Sequence, residues 1–299
     1  MATIRPMTPA DYPAVSAMAH AAATHALVGR PTWSTAADVA AEVAAFPGAV
    51  FLVVEENGVV VGMTGYRLTD TGEAEIYGPL VSSEGSGFGA WLEHRVTTLA
   101  KQAGAEAYSM LIGLGNGSGS AWAQWRGYHL ETEFPETLLC WAFPGEVAPP
   151  SPAAPGSVRP AQPEDLDRML ELHLDCFPAE KISREQAASL LPDCRVITDE
   201  GEVLGFCHLA KPIPFIRSLC IDKAYRRRGL GSHLMRSVLN EYWRTADQPL
   251  AVQAAVRLDN AGAAAFCRRI GFRQEIPVAK WTKLERDVEV EQVAYPESC

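Results

Sequence analysis

What this chain lacks narrows its reading first. No apolar run approaches the roughly 18 residues that a membrane span needs. The opening "MATIRPMTPADYPAV" has neither the basic start nor the apolar stretch of a secretory leader. A cytoplasmic location without membrane contact is the expectation. Basic residues are in deficit: 26 Lys and Arg stand against 36 Asp and Glu, a formal net charge of −10. That argues against a nucleic-acid partner, because phosphate contacts need a basic surface, whereas an acidic surface suits a cationic small molecule. Cysteines are few and form no motif. Cys140, Cys176, Cys194, Cys207, Cys220, Cys267 and Cys299 are odd in number and include no C-x-x-C, so neither a disulfide framework nor a metal site is expected.

What is present is a repeat. "TIRPMTPADYPAV" from Thr3 matches "SVRPAQPEDLDRM" from Ser157 at an offset of 154, and "VVEENGVVVG" from Val53 matches "VITDEGEVLG" from Val196 at 143. Gly87 and Gly89 match Gly229 and Gly231 at 142; Asn116 matches Asn260, and Gly127-Tyr128 matches Gly271-Phe272, both at 144. Five landmarks in one order at a nearly constant offset indicate a tandem duplication. The jump from 154 to 143 reads as a short helix lost from the second copy between its first helix and its hairpin. "PGEVAPPSPAAPGS", 144–157, has the composition of a linker. The expected domains are therefore 1–143 and 158–287, followed by a polar tail, 288–299.

Each copy has the same coarse order. A short strand (Thr3–Arg5; Val158–Arg159) leads to a helix opened by Pro-x-Asp, where early acidic residues suit the helix dipole. A hairpin turns at Asn57-Gly58 and at Glu200-Gly201. Then come a strand ("AEIYGPLV"; "FIRSLCI"), a glycine loop, a helix with apolar Leu230, Leu234, Val238 and Tyr242 in the second copy, a further strand, another helix and closing strands. The fold class is α+β: two tandem domains, each a mixed, mostly antiparallel sheet flanked by helices.

The glycine loop of the second copy, "AYRRRGLGSHLM", places a glycine-rich turn at the start of a helix, where unpaired N–H groups and the helix dipole make an anion site. Gly229 and Gly231 let the backbone approach a pyrophosphate, and Arg226, Arg227 and Arg228 supply cations. It is not a Walker A loop, since no Lys-Ser/Thr follows, and it does not open a βαβ unit.

A strand, R-x-x-G-x-G and a helix, then a strand ending in Asn260 and a helix ending in Gly271-Phe272, resembles the GNAT superfamily of acyl-CoA N-acyltransferases. "FIRSLCIDKAYRRRGLGSHLM" and "VRLDNAGAAAFCRRIGF" carry the resemblance, and the repeat extends it over nearly the whole chain. It implies acetyl-CoA or another acyl-CoA as co-substrate. The pyrophosphate would lie at Arg226–Ser232, including Leu230 and Ser232, with Leu219, Cys220 and Ile221 along the thioester and pantetheine arm and Asn260 at the cofactor.

Acyl transfer to an amine requires loss of a proton from an amine of pKa about 10.4, a donor for the developing oxyanion, and in some cases a proton for a leaving thiolate of pKa about 8.5. A backbone N–H at Ile221 or Cys220 answers the second demand. For the third, the family often places a tyrosine where this chain has Cys267, which is either a donor matched in pKa or a small apolar filler. Candidate bases are His208 on the hairpin strand and Glu171, His173 or Asp175 near the end of the first helix; ordered water is the alternative to all of them. In the first copy, "SSEGSGFGAWLE" keeps the glycines but puts Glu84 in place of an arginine, which points to a degenerate site. Against that, Glu75 and Tyr77 share one side of the preceding strand, and a strand glutamate there resembles the base some family members use.

The expectation is an N-acetyltransferase acting on a primary amine of a small molecule through its second domain, as a monomer or a homodimer. The alternatives are two active domains, a larger acyl donor, or a non-catalytic acyl-CoA sensor. Acyl transfer from a charged tRNA is disfavoured by the net charge.

Overall fold

The computed structural model describes residues 2–22, 33, 35–83, 85–133, 136–151, 156–178, 182–211, 213–247 and 249–285. The first repeat runs β1 (Ala2–Pro6), α1 (Tyr12–Ala22), α2 (Ala36–Ala45), β2 (Val50–Glu56), β3 (Val59–Leu68), β4 (Glu73–Val81), α3 (Phe88–Gln102), β5 (Ala107–Gly113), α4 (Gly117–Trp125), β6 (His129–Leu130) and β7 (Thr137–Ala142). The second runs β8 (Ser157–Pro160), α5 (Leu166–Cys176), α6 (Arg184–Leu190), β9 (Cys194–Asp199), β10 (Glu202–Ala210), β11 (Phe215–Ile221), α7 (Leu230–Thr245), β12 (Val252–Arg257), α8 (Ala261–Ile270) and β13 (Arg273–Leu284). No helix among the described residues is long and apolar enough to cross a membrane.

The repeated landmarks acquire physical reasons. Arg5 and Arg159 each make a two-pronged ion pair, to Asp11 and Asp165, at 2.7 and 2.8 Å. Those carboxylates also accept the backbone N–H groups of Thr8 and Gln162 at the helix entrance. The hairpin turns have two successive left-handed residues, Asn57 and Gly58 at φ 52° and 80°, Glu200 and Gly201 at 48° and 87°, the I′ geometry that matches strand twist. Asn116 and Asn260 cap α4 and α8, accepting from Gly119 and Ala263.

One expectation is corrected. The second repeat has not lost a helix, for α6 answers α2. The shortening is shared between the helix, ten residues in α2 and seven in α6, and the connections: residues 23–35 separate α1 from α2 but only 177–183 separate α5 from α6, and a three-residue 3₁₀ turn, Leu191–Asp193, leads directly into β9.

The chain condenses into two compact units, one of residues up to Thr137 together with the chain from Ile276 onward, the other Leu138–Glu275. The repeats 1–143 and 158–287 express sequence similarity; the units divide the chain within the closing strands β7 and β13. In the first unit the strand order is β1-β2-β3-β4-β5-β13, with β6 also on β13; β13 lies antiparallel to β5 from Val278↔Gly113 to Leu284↔Ala107. In the second it is β7-β12-β11-β10-β9-β8. The final strand of each repeat thus completes the sheet built by the other. Of the linker segment, Val147 is buried in the second unit's core beneath Gly271. The tail 288–299 lies outside the described residues.

Each unit has a core on both faces of its sheet. In the second, Leu230, Leu234, Val238 and the partly buried Tyr242 seat α7 over Cys207, Ile216 and Val252. On the opposite face Met169 and Leu172 of α5 pack on Val196, Phe206 and Cys220.

Candidate active site

Strand β11 creates the opening on which the site depends. It pairs with β10 along its length, but with the parallel β12 only at Phe215↔Gln253 and Ile216↔Ala254. Its register against β10 passes from His208↔Ser218 to Leu209↔Ile216, leaving Arg217 as a bulged residue where β11 and β12 part. The Asp222 amide donates to Leu204 on β10 at 2.9 Å. Alternation along the strand therefore turns the Cys220 amide toward β10 and the Leu219 and Ile221 amides toward the opening. Of the two amides expected to serve an oxyanion, the Ile221 amide faces the opening and the Cys220 amide does not.

The loop after β11 is built to present donors. Asp222 accepts from Arg168 of α5 and, at 2.8 Å, from the Ala224 amide, which starts a 3₁₀ turn at Lys223–Tyr225. Arg227 is held at φ 67° and Gly229 at 90°, a conformation that costs a non-glycine residue about 1–2 kcal/mol. Gly229 is the N-cap of α7 and brings no capping side chain. The first helical bond is from His233 to the Gly229 carbonyl, so the amides of Leu230, Gly231 and Ser232 converge at the helix entrance as an anion cradle. The three arginines have different placements. Arg228 lies over the Tyr225 ring at 5.0 Å, and Arg227 is exposed. Arg226 turns back, donating from Nε to the Ile221 carbonyl at 2.9 Å and from Nη2 to the Cys176 sulfur at 3.4 Å.

The candidate acid–base groups are scattered by this geometry. His208 is buried on the α5 face of the sheet, two residues from Phe206; burial, then the charge of Arg217, lowers its pKa, so the imidazole is neutral at pH 7. On α5, Glu171 is exposed and paired with Arg168, and Asp175 is exposed and paired with Lys223. His173 is buried against Phe177. Cys267 is buried in the α7/α8 core, while the Cys267 thiol and burial together hold Cys140 above the ordinary thiol range. Asn260 is exposed, its Oδ1 engaged in capping α8. Among the described residues no group of three His, Cys, Asp or Glu is arranged to hold a metal.

The residue that sequence reasoning missed is Cys176. It closes α5, and its sulfur accepts from Arg226, while the Cys220 thiol, Arg226 and the Ile221 amide hold its pKa below the ordinary thiol value. Its place one turn beyond His173, in the stretch already marked for candidate bases, was the available signal.

The corresponding place in the first unit is altered. Strand β4 parts from β5 after Glu75↔Ser109, and Gly87 caps α3 at φ 80°. However, Gly62↔Val81 corresponds to Gly205↔Ile221, so the loop 82–86 is two residues shorter than 222–228. Pro79 then occupies the register position of Leu219 and has no amide to offer. Ser86 Oγ already accepts the Phe88 amide at 3.4 Å. Glu84 lies outside the described residues. Glu75 is ion-paired with Arg67, and Tyr77 is buried, stacked on Trp33 with ring centroids 6.2 Å apart.

Residues 165–272 match the profile of the Acetyltransferase (GNAT) family. No curated protein matches the chain in sequence. Among solved structures, a GCN5-related N-acetyltransferase from Sphaerobacter thermophilus is 20% identical with a TM-score of 0.65, covering 95% of both chains. A tandem GNAT protein from the clavulanic acid biosynthesis pathway is 18% identical with a TM-score of 0.61, covering 95% of this chain and 98% of its own. Residues 165–272 thus match the GNAT acetyltransferase family, and the chain as a whole has the fold of tandem GNAT proteins.

Proposed function

We propose that the second unit moves an acetyl group from acetyl-CoA directly to a primary amine of a small molecule. The observation that carries this reading is the parting of β11 from β12 beside an uncapped α7 entrance with three arginines on its loop. The Leu230–Ser232 amides, Arg227 and Arg228 would hold the pyrophosphate. The edge of β11 at Leu219 and Ile221 would take the pantetheine arm, and the Leu219 amide would receive the carbonyl oxygen as charge builds there. The acceptor amine would approach from the α5 face, where His208 is kept neutral and able to take its proton, directly or through water. A net charge of −10 favours a cationic acceptor.

The first unit supports this assignment by contrast: a shorter loop, a proline at the Leu219 position and a serine on the helix amide each remove part of a donor site. It acts in this reading as a scaffold.

The test is release of free CoA thiol from acetyl-CoA across a panel of primary amines. Amine-dependent release is expected, with an acidic limb of kcat/KM below pH 6.5, since the His208 pKa is lowered, and loss of that limb in His208→Gln. Binding of acetyl-CoA without release for any amine would instead support a sensor.

A further inference from the structure

Of the described cysteines, five are buried and Cys176 alone is partly exposed. Its sulfur accepts from Arg226 Nη2 at 3.4 Å, and the Ile221 amide and the Cys220 thiol are near enough to act on it electrostatically. A sulfur hydrogen-bonded by a guanidinium, with an amide and a second thiol nearby, is in an environment that favours thiolate, even at the C-terminal end of a helix, where the dipole opposes negative charge. The Cys220 thiol first, then Arg226 and the Ile221 amide, pull Cys176 down to about 6 despite burial, whereas Cys220 is pushed up. Cys176, partly exposed and in contact with Arg226, is the sulfur open to an oxidant, and Cys220 is the buried thiol behind it. Cys176 packs on the same cluster that contains Cys220, Met169 and Phe206, which places both cysteines at the interface between α5 and β11.

We infer that Cys176 and Cys220 form an oxidative modification site, in which hydrogen peroxide oxidises Cys176 and Cys220 then closes a disulfide onto it. In the first step the Cys176 thiolate attacks one peroxide oxygen; the O–O bond breaks, an S–O bond forms, and the leaving hydroxide takes a proton to become water. In the second, the Cys220 sulfur attacks the sulfenic sulfur; the S–O bond breaks, the S–S bond forms, and the hydroxide leaves with the Cys220 proton as water. Two thiols lose two electrons and the peroxide gains them. The Arg226 cation beside the sulfur stabilises both the thiolate and the departing hydroxide. The disulfide ties the end of α5 to β11 and takes from Arg226 the sulfur it now contacts, beside the edge assigned to the donor. This last consequence rests on the proposed function; the disulfide itself does not.

The experiment uses the full chain treated with hydrogen peroxide, alkylated under denaturing conditions and digested with trypsin. The expected product is a cross-link between the peptides 169–181 and 218–223, reversed by dithiothreitol and absent from Cys176→Ser. In Cys220→Ala, Cys176 should stop at the sulfenic acid and be trapped by dimedone. Recovery of Cys176 as a free thiol, or as sulfinic acid with Cys220 still open to alkylation, would overturn the inference. Acetyl-CoA titration of the same samples should show binding lost on oxidation and regained on reduction. Cross-linked protein that still binds would remove the link to the donor site, and absence of binding even when reduced would count against the proposed function alone.

Discussion

The carboxylate of Asp165 accepts from the Gln162 amide at 2.8 Å and from two guanidinium nitrogens of Arg159 at 2.7 and 2.8 Å. Arg159 first, and the Gln162 amide after it, hold its pKa below the ordinary value, against burial. Since the folded value lies below the unfolded one of about 3.9, its contribution is complete above that pH and is lost as pH falls through the folded value. Asp165→Asn should cost about 1–3 kcal/mol at pH 7. Denaturant unfolding should show that gap shrink below about pH 4; a gap that persists there would contradict the account. The Arg-Pro and Asp landmarks were legible because this ion pair and cap close within six residues. Cys176 was not, because the groups that perturb it, Cys220 and Arg226, come from β11 and the loop after it, about 50 residues later in the chain.

At the scale of elements, the strand, loop and helix from Phe215 to Thr245 were legible almost residue by residue, since the glycine motif and the spacing of Leu230, Leu234 and Val238 are local signals. Which amides face the opening was not legible, because it depends on the register of β11 against β10. The two glycines of the motif should respond to alanine with opposite signs. Gly229 sits at φ 90° with nothing within 4 Å of a built Cβ, so Gly229→Ala bears only backbone strain, about 1–2 kcal/mol of lost stability. Gly231 is helical, and its Cβ would make ordinary contact with Ile221 at 3.5 Å. Gly231→Ala should therefore stabilise by about 0.5–1 kcal/mol. Thermal unfolding of both variants checks the pair of signs.

For the whole molecule, the duplication was legible from five ordered landmarks, but the exchange of closing strands was not. Alternation and hydrophobicity mark β7 and β13 as strands without saying which sheet each joins. A fragment ending at residue 143 would contain β5 without its β13 partner over Ala107–Gly113, exposing a strand edge. It should be less stable than the same unit in the full chain, and adding 276–285 as a separate peptide should raise its melting temperature. A fragment 1–143 as stable as the full chain would contradict the assignment of units.

The central claim is that one donor site exists per chain and that it lies at the α7 entrance. Calorimetric titration of the reduced full chain with acetyl-CoA tests it most directly. The account predicts one site per chain, abolished by the double variant Arg227→Glu/Arg228→Glu and unaffected by Ser86→Ala in the first unit. Two sites, or a single site that survives Arg227→Glu/Arg228→Glu, would contradict it.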